Sequence, residues 1–261
     1  METAVRERKS NRLRRAFSVL LGLLCLVCAL LFGVPGVYQP LWEASSQRSL
    51  VHPELTYAPR TLPLSGYSQL PELPNGCEAT SLSIVLQYYG YAVDKLEISE
   101  FYLSTKPLAR TWHGYYSGDP ALAYCGDAEA LGYYCFAGPL CEAANRYLQE
   151  QNSTLQALDL TGQSTYVLKN LVSGGIPVVF WATLDFAAIE KSERTWTILE
   201  DGTQYQPYSN LHCLVLYGFD LFYYDVYDPL KGAVRIPRLV FELRFAQMEQ
   251  RAMCLSHAPL S

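Results

Sequence analysis

Residues 211–228 read LHCLVLYGFDLFYYDVYD and decide the fold class. The segment contains two apolar runs, Leu211–Phe219 and Phe222–Val226, which are rich in the aliphatic, aromatic and β-branched side chains that strands favour. We therefore predict two neighbouring antiparallel strands here. Alternation along the first strand places the side chain of His212 on the opposite face from those of its immediate neighbours.

Further elements of a sheet are predicted on either side of this pair along the chain. Ile176–Leu184 follows Gly174-Gly175, and its continuous apolar run is typical of a buried strand. The other elements predicted are a hairpin around Asp201-Gly202 formed by Thr195–Leu199 and Thr203–Gln206, a short strand at Val234–Ile236, and a helix at Arg238–Gln250.

The preceding part of the chain is predicted to be mainly helical. Cys77–Tyr89 (CEATSLSIVLQYY) has apolar residues at Leu82 and at the third, fourth and seventh positions after it, which form one face of a buried helix. Leu140–Gln151 and Ser164–Leu171 are two further predicted helices, whereas residues 104–138, rich in Gly, Pro and Tyr, are predicted to be a long surface excursion. Helices followed by an antiparallel sheet indicate an α+β fold.

The N-terminal region predicts a membrane anchor. Residues 16–34 (AFSVLLGLLCLVCALLFGV) carry no charge, and as a helix they would span about 28 Å, close to the thickness of a bilayer core. Residues 1–15 form a basic tail that should remain in the cytoplasm. A cleaved signal peptide is the alternative, but the apolar run is long for one and no A-x-A site follows it. We expect a single-pass protein of the cell membrane with its folded part outside the cell.

Charge and composition indicate how the rest of the chain is organised and which partners it can bind. Residues 35–60 are predicted to be a linker and residues 61–261 a folded domain, because half of all residues are hydrophobic and only 17% are charged. The net charge of the whole chain is -5, and because residues 1–15 are basic, the remaining residues are more acidic than this value indicates. An acidic body argues against nucleic acid as a partner, because binding phosphates requires a basic face.

The cysteines leave the choice between free thiols and disulfides open. Six lie outside the apolar segment: Cys77, Cys125, Cys135, Cys141, Cys213 and Cys254. A disulfide between two of Cys125, Cys135 and Cys141 is plausible in an extracellular domain. The exported part has no CxxC and no pair of histidines at ligand spacing, so we predict neither a metal nor another cofactor.

Four side chains could support nucleophilic chemistry: Gln69, Cys77, His212 and Asp228. Cys77 begins a predicted helix, where backbone N–H groups and the helix dipole stabilise a thiolate. His212 lies on a strand and could be its base, while Asp228 could orient the imidazole, with Asp225 and Asp220 as competitors. The Gln69 amide could donate to an oxyanion. Singly, each residue also has a structural explanation, and their order along the chain is the stronger signal.

Four segments in this order resemble the C39-like cysteine peptidases. They are SQLPELPNGCEATSLSIVLQYYG at 68–90, YCGDAEALGYYCFAGPL at 124–140, GGIPVVFWAT at 174–183, and NLHCLVLYGFD with YDVYDPLKG at 210–232. The resemblance covers about residues 62–250. It implies a papain-like fold, in which a helical half carrying the cysteine helix packs on a C-terminal antiparallel sheet.

The resemblance also implies roles for the four residues. Cys77 would be the nucleophile, His212 the general base, Asp228 the residue that orients His212, and Gln69 the oxyanion donor. Leu211 departs from the family pattern, which often has glycine before the histidine. The expected activity is hydrolysis of peptide or other amide bonds in a peptide or protein substrate. The alternatives are an acyl transferase that uses the same triad and a surface module that binds without catalysis.

Overall fold

The computed structural model describes residues 58–257, which form a mixture of helices and strands. The helices are α1 Cys77–Tyr88, α2 Lys95–Glu97 with a π-helical turn at Ile98–Tyr102, α3 Ala137–Glu150, α4 Thr165–Ser173 and α5 Arg238–Gln247, and a 3₁₀ turn occupies Leu184–Phe186. The strands are β1 Arg60–Thr61, β2 Thr105–Lys106, β3 Ala109–Thr111, β4 Gly114–Ser117, β5 Tyr124–Cys125, β6 Gln156–Asp159, β7 Val178–Thr183, β8 Trp196–Ile198, β9 Gln204–Tyr205, β10 Leu211–Phe219, β11 Tyr223–Asp228, β12 Gly232–Pro237 and β13 Ala252–Ser256.

The main sheet is antiparallel and places β10 near its centre. The strand order is β12-β11-β10-β7-β13-β6, and β1 also pairs with β10. The predicted strand Leu211–Phe219 has the observed bounds of β10. By contrast, β11 extends past its predicted end to Asp228, because its pairing with β12 continues until Asp228 meets Gly232.

Alternating side chains of the sheet pack against helices on both of its faces. Trp181 and Cys213 are buried on the face covered by α1 and α3, in one hydrophobic cluster. Phe180 and Leu214 are buried on the opposite face, in a second cluster with α4 and α5. The predicted mixed fold with an antiparallel sheet is confirmed, and the helices lie on both faces of this sheet.

Two predictions about elements were wrong. Residues 104–138 are no surface excursion, since they form β2–β5 and bury Tyr124 and Cys135 completely or almost completely. β13 was missed although it lies inside the sheet between β7 and β6. It begins five residues after α5 ends, and the sequence predicts no element after Gln250.

The choice between free thiols and disulfides, which the sequence leaves open, is resolved as free thiols within residues 58–257. Cys125, Cys135 and Cys141 are free and buried, as are the other three cysteines that the structure describes. Cys135 and Cys141 lie in the same hydrophobic cluster and Cys125 in another, and the Cys141 thiol contacts the Met253 sulfur at 4.0 Å. The three side chains that are close in sequence are therefore used as small core residues.

The predicted anchor at residues 16–34 and most of the predicted linker lie outside the described residues. Within residues 58–257, every helix is too short or too polar to cross a bilayer.

Candidate active site

A tight turn precedes α1 and places Cys77 at the first helical position. The N–H of Gly76 donates to the carbonyl of Leu73 at 3.0 Å. A Cβ at position 76 would come within 2.5 Å of the Leu73 side chain, so the turn requires glycine. The Thr80 hydroxyl donates back to the Gly76 carbonyl at 2.8 Å. Cys77 is thus held where backbone N–H groups of the first helical turn remain available.

The thiol of Cys77 points into the protein and contacts both α1 and β10. The residue is only 7% exposed, and its Sγ donates to Oε2 of Glu78 at 3.3 Å. The backbone N–H of Cys213 also faces the sulfur and favours its thiolate form. Burial, and after it the charge of Glu78, raise the pKa of the Cys77 thiol well above its ordinary value.

His212 and Asp228 form a buried pair. Nε2 of His212 lies 2.7 Å from Oδ1 of Asp228, and both side chains are at least nine-tenths buried. Burial by itself raises the pKa of Asp228, but the hydrogen bond and charge of His212, with the N–H groups of Leu230 and Lys231, hold it below its ordinary value. The second ring nitrogen of His212, Nδ1, has no hydrogen-bond partner among residues 58–257.

This pair carries a prediction about acid stability. Because the pKa of Asp228 is lowered in the folded state, its carboxylate stabilises the folded protein. This contribution to the free energy of unfolding is fully present only at pH values above the pKa in the unfolded state, which is about 4. It is lost as the pH falls through the folded value. Asp228→Asn should therefore destabilise the protein at pH 7, with a difference from wild type that shrinks below about pH 4. Urea unfolding at several pH values measures this, and a difference independent of pH would contradict it.

The competing carboxylates are engaged elsewhere. Asp225 accepts from Thr61 at 2.7 Å and pairs with Arg235 at 3.0 Å, and Asp220 pairs with the same arginine. Of the three candidates, Asp228 is the one that contacts His212.

Hydrogen bonds connect Gln69 to both halves of the site. Its backbone N–H donates to the carbonyl of Pro229, the residue after Asp228, at 2.9 Å. Its side-chain amide donates to the carbonyls of Leu73 and Pro74 at 3.2 Å and 2.8 Å, in the turn that leads to Cys77. A continuous set of contacts thus joins Gln69, Cys77, the start of β10 and the Asp228 turn.

Comparisons with known proteins show the family of the chain. Residues 61–253 match the family described as the Peptidase_C39 like family. The chain belongs to this family. It is 32% identical over 206 residues to Uncharacterized protein YvpB of Bacillus subtilis (strain 168), covering 77% of this chain and 78% of that one. The crystal structure of a C39-like peptidase from Bacillus anthracis is 32% identical, with a TM-score of 0.66, and the match covers 76% of this chain and 98% of that one.

In this C39-like chain the amide of Gln69 is already occupied. Both of its N–H groups are directed at carbonyls, and its Oε1 is buried without a hydrogen-bond partner among residues 58–257. Donating to an oxyanion would require the amide to give up one of these two acceptors. The role of Gln69 as an oxyanion donor therefore stays a prediction.

Two residues of the site were not singled out from the sequence. Glu78 is completely buried and accepts from the Cys77 thiol. Lys95 lies under the Gln69 loop, where its Nζ donates to the carbonyls of Ser68 and Gln69 at 2.7 Å and 2.9 Å. Buried Glu and Lys are rare without a partner or function, but hydrophobic periodicity does not reveal them. The Gly-Cys-Glu triplet was the only available signal for Glu78.

An open cleft of about 870 Å³ lies between the smaller sheet β3-β4-β8-β9 and the segment leading to β10. Its lining includes Tyr115, Arg194 and Ser209, the last of which precedes His212 by three residues. The guanidinium of Arg194 lies over the Tyr115 ring at 4.7 Å. This family member thus has a wide cleft with polar and aromatic side chains, and one lining residue, Ser209, lies just before the strand that carries His212.

Proposed function

We propose that this chain is a cysteine peptidase that hydrolyses peptide bonds with Cys77 as nucleophile and His212 as general base. The observation that carries the proposal is the buried His212–Asp228 pair, formed at the residue adjacent to the one whose N–H faces the Cys77 sulfur. A buried acid–imidazole pair activates a cysteine at a helix N-terminus when the thiol meets the imidazole, so the proposal requires the Cys77 thiol to turn towards His212. Membership of the family supports the same activity.

The proposed reaction uses the free nitrogen of His212. The thiol rotates from Glu78 towards His212, and Nδ1 takes its proton while the sulfur attacks the substrate carbonyl carbon. The C–N bond breaks as the imidazolium returns that proton to the leaving amine. Water then attacks the thioester carbon and gives one proton to His212, which passes it to the departing Cys77 sulfur. Asp228 keeps the ring oriented and stabilises its charged form throughout.

The oxyanion would be held at the start of α1. The backbone N–H of Cys77 points out of the first helical turn, where no intrahelical acceptor is available. The Gln69 amide is the second donor in this proposal, once substrate displaces one of its carbonyl contacts. In this proposal an extended peptide segment binds in the cleft lined by Tyr115, Arg194 and Ser209, the last of which precedes His212 by three residues.

The test of this function is selective labelling of Cys77. Treated with iodoacetamide at pH 7, the reduced protein should be alkylated at Cys77 at least about 10-fold faster than at Cys141, because in the proposed mechanism the Cys77 thiol turns from Glu78 to His212, and an imidazole partner increases the thiolate fraction. Cys141 is a matched control, since the two residues are 7% and 8% exposed. Peptide mapping by mass spectrometry measures both rates. His212→Asn should remove the difference, and equal rates in the wild-type protein would contradict the proposal.

We also propose that the domain is held at the outer face of the cell membrane by residues 16–34. The support is the uncharged apolar run preceded by the basic tail. Expression with and without residues 1–34, followed by fractionation and external protease treatment of intact cells, tests this. Recovery of the full chain in the soluble fraction would contradict the anchor.

A further inference from the structure

Glu78 is a buried carboxyl in direct contact with the proposed nucleophile. It is 0% exposed, and its Oε2 accepts the Cys77 thiol at 3.3 Å. Its other oxygen, Oε1, accepts the backbone N–H of Cys135 at 3.3 Å. The indole of Trp181 also stabilises the carboxylate. These contacts fix the carboxyl beside the sulfur and leave it little freedom to turn away.

The surroundings of Glu78 contain thiols and a phenol as titratable groups. Cys77 faces it from α1, Tyr124 from β5, Cys135 from the segment before α3, and Cys213 from β10. Glu78 takes part in none of the ion pairs formed within residues 58–257. Burial therefore dominates and raises the pKa of Glu78 to about 7. Its charge changes in the neutral range, one hydrogen bond away from the thiol.

The direction of that hydrogen bond depends on the charge of Glu78. A carboxylate can only accept, so it holds the thiol proton on Cys77 and opposes formation of the thiolate. A protonated carboxyl has an O–H that can donate to the sulfur, which favours the thiolate instead. The two states of Glu78 thus act on the Cys77 sulfur in opposite senses.

We propose that Glu78 is a proton-controlled restraint on Cys77: as a carboxylate it keeps the thiol protonated and turned inward, and as a carboxylic acid it releases the sulfur towards His212. The inference rests on the proposed role of Cys77 as the nucleophile. It adds a second acid–base partner to that residue. Compared with a site that lacks the carboxyl, the Cys77 thiol should therefore react more slowly in alkaline solution, whereas the two should react at similar rates where Glu78 is protonated.

The test is the pH profile of Cys77 alkylation by iodoacetamide, a neutral reagent, in the full chain. Glu78→Gln keeps the size and the acceptor for the Cys135 N–H but has no charge, so Cys77 should react about 10-fold faster than in wild type at pH 8.5, equivalent to a shift of about one pKa unit. The two rates should converge at pH 5.5. Glu78→Asp retains a carboxylate and should stay close to wild type. Glu142→Gln, an exposed site on α3, is the matched control.

Equal rates for Glu78→Gln and wild type at pH 8.5 would overturn the proposal, as would a slower rate at every pH. If the glutamine variant does not fold, the ¹³C shift of the Glu78 carboxyl in the wild-type protein gives a second measurement. A midpoint near 7 supports the restraint, and a midpoint near the ordinary glutamate value overturns it. The profile of His212→Asn separates the two proposals: if it matches wild type, the peptidase mechanism fails, whereas the Glu78 effect is still measured in the glutamine variant.

Discussion

Replacing His212 by alanine is expected to lower kcat/KM for hydrolysis of a quenched fluorescent protein substrate by about 10⁴-fold. The reason is that the variant loses the group that takes the Cys77 proton and returns it to the leaving amine. The buried Asp228 would also lose the partner that holds its pKa down. Rate measurements on the reduced protein, with circular dichroism to verify folding, give the result directly.

Asp225→Asn is the matched control for this experiment. Asp225 lies on the same strand as Asp228 but pairs with Arg235 at the edge of the sheet, so its activity should stay within about 2-fold of wild type. Asp228→Asn should fall between the two, because the ring of His212 remains but loses its orienting carboxylate. If His212→Ala kept even a tenth of the wild-type activity, the imidazole would not be the base.

The parts of the fold that could be predicted are those with a strong local signal. β10 was predicted with its observed bounds because nine consecutive residues are apolar or aromatic except His212, and α1 because its apolar face repeats at helical spacing. The meeting of His212 with Asp228 was also predicted, since an Asp that ends the neighbouring strand lies within reach of a strand histidine. Each of these depends on residues close in sequence or on adjacent strands.

What could not be predicted depends on contacts between distant segments. β13 is a strand only because β7 and β6 bind it on both sides, and its sequence has no boundary signal. The segment 104–138 looks like a loop, yet Tyr133 within it packs its ring against that of Trp196 from β8, with 5.0 Å between the ring centroids. Similarly, Glu78 follows a helix start and would ordinarily face solvent, but the packing of α1 on β10 encloses it.

The indole of Trp181 connects the core to the site, and its removal should have the largest effect on stability. Trp181 is completely buried in the middle of β7, opposite Cys213 of β10. Its Nε1 donates to the carbonyl of Cys135 at 3.0 Å. Trp181→Ala should lower the free energy of unfolding by about 4 kcal/mol, since it opens a large cavity and leaves that carbonyl without its partner. For a domain of this size the midpoint of thermal unfolding should fall by about 10 °C.

Trp112→Ala is the control because the chain offers the same side chain fully exposed, on the turn between β3 and β4. It should change the free energy of unfolding by less than about 0.5 kcal/mol. Urea denaturation of both variants gives the comparison. A loss below about 1 kcal/mol for Trp181→Ala would mean that the sheet and α1 do not unfold as one unit. Then the geometry that places Cys77 and Glu78 against β10 would have to be maintained by the helix turn alone.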